Sequence, residues 1–290
     1  MSDTQASLRR KIDGAAKLGS VVRTMKAVAA SSIAQYEAAV GALADYERSV
    51  EFGLAVSFRQ GWRVASAPRQ KGGVGKIGAI VFGSDQGLVG QFNEAMAEFA
   101  MATLASLPGE KKIWAVGERV GARLTEANLP LAGRFAVPGS VAAITPLVGQ
   151  LQLASEAQGD DGCAEVYVFH TRPTSGAQCE PVSQRLLPLD RQWEKDLAKI
   201  KWPTRNLPEL FGQDEGTFHA FIREYLFISL FKACAESLAS ENASRLAAMQ
   251  RAEKNIDSLS TELNRTFYRL RQSSIDEELF DVIAGFNALS

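Results

Sequence analysis

Proline is confined to the middle of this chain, and that distribution limits what the chain can fold into. All ten prolines lie between Pro68 and Pro208. Proline removes a backbone donor and clashes with the preceding turn, so long helices avoid it. The stretch from Asp214 to Leu289 is free of proline and holds only two glycines, Gly216 and Gly285. Its apolar residues recur at helical steps: Leu226, Leu230, Cys234, Leu238, Met249, Ile256, Leu259, Leu263, Phe267, Leu270, then Leu279, Val282 and Phe286. Such steps describe one helix with one apolar seam. At about 1.5 Å per residue it would run on the order of 110 Å.

A helix of that length needs a partner along its seam, because propensity alone leaves a polar-faced helix marginal. The other end of the chain supplies one. Ser2 to Phe58 also lacks proline and carries Leu8, Ile12, Val21, Met25, Val28, Tyr36, Val40, Leu43, Tyr46, Val50 and Leu54. A compact insert returns the chain near its point of departure, so the two arms are expected to wind into a long antiparallel coiled coil. Ala15–Gly19, with Gly14 beside it, is poor in seam residues and reads as a weaker or interrupted helix. The expected division is residues 1–60 for the N-terminal helix, 61–76 for a linker loop, 77–212 for a small α/β, Rossmann-like domain, and 213–290 for the C-terminal helix.

Within the insert, Ile77–Phe82 reads as a buried strand followed by a glycine-rich turn. A helix over Gln91–Leu107, a strand over Lys112–Val116 and a helix over Glu118–Ala127 come next. Leu131–Val137 is a short strand, and Ile144–Gln158 a helix with Pro146 in its first turn, where proline is tolerated. Glu165–Thr171 and Val182–Leu189 close the set as strands. This alternation implies a small sheet covered by helices. Arg191–Phe211, marked by Trp193, Trp202, Pro203 and Pro208, leads back to the long helix.

The formal net charge is −1, which supplies no basic field for nucleic acid. No apolar run is long enough to span a membrane, and the polar start MSDTQASLRRKID lacks a signal core. Three scattered cysteines, Cys163, Cys179 and Cys234, fit reduced thiols, and two histidines are too few for a histidine metal site. No cofactor and no catalytic constellation is expected.

Lys71-Gly-Gly-Val-Gly-Lys76 has the composition of a phosphate loop, but Ile77 and Gly78 stand where a hydroxyl is needed, and the loop precedes a strand instead of following one. Gly83, Gly87 and Gly90 follow a strand and precede a helix, as in a dinucleotide site, but at the wrong spacing and without the later acidic residue. The favoured reading is a tight turn packing helix on sheet. Asp85 in that turn reads as a helix-capping or loop-contact residue, His170 as structural, and Glu277, Glu278 and Asp281 as a solvated face.

Three stretches together resemble the gamma subunit of F-type ATP synthases: Thr24-Met-Lys-Ala-Val-Ala-Ala-Ser31, the turn Ser84-Asp-Gln-Gly-Leu-Val-Gly-Gln-Phe-Asn93, and Ser240–Asn255 with Arg271–Leu279 and Ile283-Ala-Gly285. The resemblance implies a central rotor shaft without an active site. The shaft would turn inside a ring of alpha and beta subunits, with its α/β foot against the epsilon subunit and the membrane c-ring, on the cytoplasmic face of a bacterial plasma membrane. It would couple ATP synthesis or hydrolysis to H⁺ or Na⁺ transport. The contacts it implies are Met25, Lys26, Asp85, Gln86, Arg271, Gln272 and Asp276, with Ile283 and Phe286 in an apolar sleeve at the tip. Gln86, Val89 and Gln91 depart from the family's usual loop, as Asp276 and Tyr268 do from its C-terminal pattern. Those departures point to a divergent branch, an alternate bacterial ATPase that pumps ions by hydrolysis. Two other readings are a free-standing coiled-coil adaptor and a nucleotide-dependent enzyme using the Gly83–Gly90 turn.

Overall fold

A computed structural model describes residues 4–62, 75–155, 163–174, 179–189, 191–202, 204–206 and 215–289. The Lys71–Lys76 loop lies outside them except for its last two residues, as do Pro203, Pro208 and the side chain of Phe286. Two helices dominate: α1 (Gln5–Arg59) and α6 (Glu215–Leu289). The chain divides into two units, one of Met1–Ala29 with Arg245–Ser290, the other of Ala30–Ser244. No described helix is long and apolar enough to cross a membrane.

In the first unit the two helices run antiparallel. Gly19 meets Ile256, and further along α1 the Lys26 ammonium pairs with the Glu253 carboxylate further back along α6. Two expectations are corrected here. The helix is not interrupted at Ala15–Gly19; α1 is continuous, and both residues are buried. The seam also departs from the expected one at a few positions, although Leu8, Ile12, Met249, Ile256, Leu263, Phe267 and Leu270 lie in it as expected. Val21 and Val28 are 55% and 59% exposed, and Leu259 is 50% exposed. A regular series of buried or half-buried positions runs through Leu8, Ile12, Ala15, Gly19, Val22, Lys26 and Ala29 on α1, and Met249, Glu253, Ile256, Ser260, Leu263, Phe267, Leu270 and Ser274 on α6. Both sets step by alternating fours and threes, the heptad rule of a left-handed coil. At Gly19 the seam is filled by the opposite helix's side chain. A Cβ on Gly19 would lie 3.5 Å from the Ile256 side chain.

The second unit is a three-layer sandwich. Its strands are β1 (Lys76–Phe82), β2 (Lys111–Val116), β3 (Leu131–Phe135), β4 (Cys163–Pro173) and β5 (Cys179–Leu187). They lie in the order β3-β2-β1-β4-β5, parallel except for β5, which pairs antiparallel with β4. Alternation along β1 sends Ile77, Ala79 and Val81 to one face, against α2 (Phe92–Ser106) and α3 (Glu118–Glu126). Ile80 and Phe82 point to the other face, onto α4 (Ile144–Ser155) and the stretch Leu226–Ala239 of α6. Tyr36 of α1 joins that second core. A short helix, α5 (Arg191–Ala198), was not foreseen in the sequence. Its Trp193 and Leu197 pack with Val50, Leu54, Phe58 and Phe218. The Arg59 guanidinium holds the end of α5 by donating to the carbonyls of Ala198 and Ile200.

Candidate functional site

The turn after β1 is closed by its own side chains. The Ser84 amide donates to Asn93 Oδ1 at 2.9 Å, and Asn93 Nδ2 donates to Ser84 Oγ at 2.8 Å. Asp85 uses both carboxylate oxygens, accepting from the Glu118 amide at the start of α3 and from the Val137 amide, each at 2.9 Å. A carboxylate at a helix N-terminus meets unsatisfied amides and the positive end of the helix dipole. Asp85 is thus a cap supplied from a neighbouring loop. A Cβ at Gly83 would lie 2.4 Å from the Val120 side chain, so only glycine lets α3 approach. Gly83 therefore serves packing, Gly90 at φ +62° takes the left-handed backbone of the turn, and the Ser84 amide is already committed within it.

Beside this turn is an open cavity of about 320 Å³ lined by Gly87–Gly90, Asn93, Glu94, Arg119 and Arg123. Arg123 pairs with Glu94 at 2.9 Å and with Glu126 at 3.0 Å. Burial pushes the Glu94 carboxyl up, but Arg123 outweighs it and holds the group below its ordinary value. Gln86 is exposed nearby.

The other expected contacts lie on the first unit. Met25 is half-buried. Lys26 occupies a seam position, and its ion pair with Glu253 is internal to the two helices. Arg271, Gln272 and Asp276 are exposed on α6. Past Ser274 every α6 residue whose burial is described is exposed, including Ile275 (53%), Leu279 (56%), Phe280 (70%), Val282 (70%) and Ile283 (46%). Leu279 and Val282 had been expected in the seam with the first arm. They are instead part of a helix end rich in uncovered apolar side chains. Among the described residues no cluster of acidic, histidine or cysteine side chains could hold a metal.

His170 lies at the carboxyl end of β4 and is 1% exposed. Its Nε2 lies 2.8 Å from Glu236 of α6, and Arg172 donates to the same carboxylate at 3.3 Å. Burial raises the Glu236 carboxyl, but His170 and Arg172 together bring it below its ordinary value. Sequence reading had no signal for this cluster, because its members are 64 and 66 positions apart.

A family model described as ATP synthase matches residues 4–289. Among curated proteins, a relative named ATP synthase gamma chain from Frankia casuarinae is 27% identical over 97% of this chain and 96% of its own. One of the same name from Janthinobacterium sp. is 26% identical over 97% and 98%. Among solved structures, a chain of the Euglena gracilis mitochondrial ATP synthase rotor aligns at a TM-score of 0.64 with 14% identity, covering 93% of this chain and 98% of that one. A chain from the central stalk and c-ring of the Tetrahymena thermophila mitochondrial ATP synthase aligns at 0.56 with 23% identity, over 80% and 99%. These structural likenesses bear on the fold.

Proposed function

The chain belongs to the ATP synthase family, and we propose from its geometry how it serves there. It is a gamma chain, the central rotor stalk. The observation that carries the mechanism is the mismatch between the two helices. The heptad seam of α1 and α6 reaches Ser274, while α6 continues to Leu289 with Ile275, Leu279, Phe280, Val282 and Ile283 uncovered. Apolar groups in such number are costly to leave in water and mark a surface that another protein covers.

On this reading the tip of α6, with Ile283 and Phe286, turns in an apolar sleeve of the alpha and beta subunits. Arg271, Gln272 and Asp276, exposed just before it, make hydrogen bonds to the beta subunit that form and break with angle; such charge-assisted bonds are strong and directional. Met25, beside Lys26 and so opposite the Glu253 region of α6, is a separate contact with the beta subunit. Lys26 stiffens the shaft through Glu253 before it contributes to any partner, and Asp85 shapes the loop that presents Gln86. The α/β foot rests on the c-ring and the epsilon subunit, at the cytoplasmic face of the membrane. The division into 1–60, 61–76, 77–212 and 213–290 follows these roles. The chain contributes no catalytic group; nucleotide chemistry belongs to its partners.

Affinity purification of the tagged chain tests the assembly: alpha and beta subunits are expected at three copies each per gamma. Recovery of a soluble homodimer alone would point to a coiled-coil adaptor. For the contacts, Arg271→Ala with Gln272→Ala is expected to lower ATP-driven ion transport severalfold while the circular dichroism of the isolated chain is unchanged. Undiminished transport would remove both residues from the interface.

A further inference from the structure

We propose that His170, Arg172, Glu236 and Ser240 form the key that fixes helix α6 in register on the sheet, so that torque applied to the α/β domain reaches the shaft without slip. This rests on the rotor reading above. In parallel doubly wound sheets the carboxyl ends of the strands, where the order reverses, ordinarily face a ligand. Here β1 lies between β2 and β4, and the polar side chains at the carboxyl end of β4 face α6 instead. His170 and Arg172 hold the Glu236 carboxylate. One turn further along α6, buried Ser240 donates its hydroxyl to the Thr171 carbonyl at 3.0 Å. Thus three successive residues of β4 engage two positions spaced one turn apart on α6.

The neighbouring contact explains why a key is needed. Around Glu236 and Ser240 the α6 residues in this core are Ala233, Cys234, Ala235, Leu238 and Ala239, while the bulkier Leu226, Leu230 and Phe231 lie further back along the helix. Helix packing resists sliding through ridges seated in grooves, and alanines make low ridges. Apolar contact also has no direction, so it tolerates small rotations at little cost. Buried polar contacts are weak evidence for stability, because desolvation offsets their attraction, and their best-attested role is to specify register. Hydrogen bonds between His170 and Glu236 and between Ser240 and Thr171 break if α6 turns about its axis or slides by a fraction of a turn.

The test uses the assembled ATP synthase in membrane vesicles, reading both ATP hydrolysis and ion transport. Glu236→Ala with Ser240→Ala is expected to lower ions moved per ATP at least twofold while hydrolysis persists, and Glu236→Gln is expected to retain most of the ratio. Leu230→Ala, a core truncation on the same helix, is the control for simple destabilisation. It is expected to lower the unfolding temperature and leave the ratio intact. An unchanged ratio in the double variant, or an equal fall in the Leu230→Ala control, overturns the key. Should the double variant not assemble, His170→Gln with Arg172→Gln carries the same expectation. A wild-type chain that fails to assemble or to transport would instead sink the rotor reading, and the key with it.

Discussion

Single positions in this protein divide by whether a missing or buried group has a neighbour. Gly83 and Gly41 are both glycines, yet a Cβ at Gly83 would collide with Val120 at 2.4 Å, while one at Gly41 would meet nothing within 4 Å. Gly83→Ala is therefore expected to cost about 1–3 kcal/mol through overpacking. Gly41→Ala, inside α1, is expected to gain about 0.8–1 kcal/mol of helix propensity. Denaturant unfolding of the two variants checks both signs. Glu236 carries a pH signature. Its carboxyl lies below the ordinary value in the folded chain, despite burial, because of His170 and Arg172. The unfolded chain thus takes up that proton first on acidification. The stabilisation is complete above the ordinary carboxylate pKa of about 4.3 and is lost as pH falls through the folded value. The difference in melting temperature between wild type and Glu236→Gln should hold steady near pH 5–6 and shrink toward pH 3. A difference that stays constant down to pH 3 would contradict the assignment.

At the scale of elements, the long helices were legible in the sequence, and so was most of each contact face, from Leu8 and Ile12 on α1 to Met249, Ile256, Leu263, Phe267 and Leu270 on α6. Absence of proline and an apolar period are local properties, so the extents of α1 and α6 could be read directly. The face depends on which residues the opposite helix can approach. Sequence reading followed Val21 and Val28, whereas packing selects Val22 and Ala29; Met25 and Lys26 are both half-buried. The seam admits a charged residue and a small one among its apolar positions, and hydrophobicity alone does not register that. Lys26 and Glu253 illustrate the consequence. They are partly exposed, at 35% and 20%, so their coupling should be modest. A double-mutant cycle with Lys26→Ala and Glu253→Ala is expected to return about 0.2–1 kcal/mol, fading in high salt. A coupling near zero at low salt would mean that the pair does not tie the helices. The α5 helix escaped notice because it is eight residues long and is held by distant partners, Arg59 among them.

The whole chain combines a unit with a broad core and a unit of two helices. In Ala30–Ser244 the sheet is covered on both faces, and α6 is buried almost without interruption from Leu226 to Asn242. In Met1–Ala29 with Arg245–Ser290 the helices share only a narrow seam. Local opening follows buried apolar contact. Amide hydrogen exchange of the isolated chain is therefore expected to be slowest in β1, β4 and Leu226–Asn242, and at least tenfold faster in Ile275–Ala284. Uniform protection along α6 would show that the far end is covered in the isolated chain.

The order of residues by itself determined two long proline-free helices and an α/β insert, because periodicity and turn chemistry are short-range properties. Only the tertiary structure decided that the α1 seam takes Val22 and Ala29 in place of Val21 and Val28, which amides Asp85 meets, and that β4 grips α6 through His170, Arg172 and Thr171. Those outcomes depend on how closely backbones approach and on which polar groups meet across tens of residues, and neither is encoded in any local window of sequence.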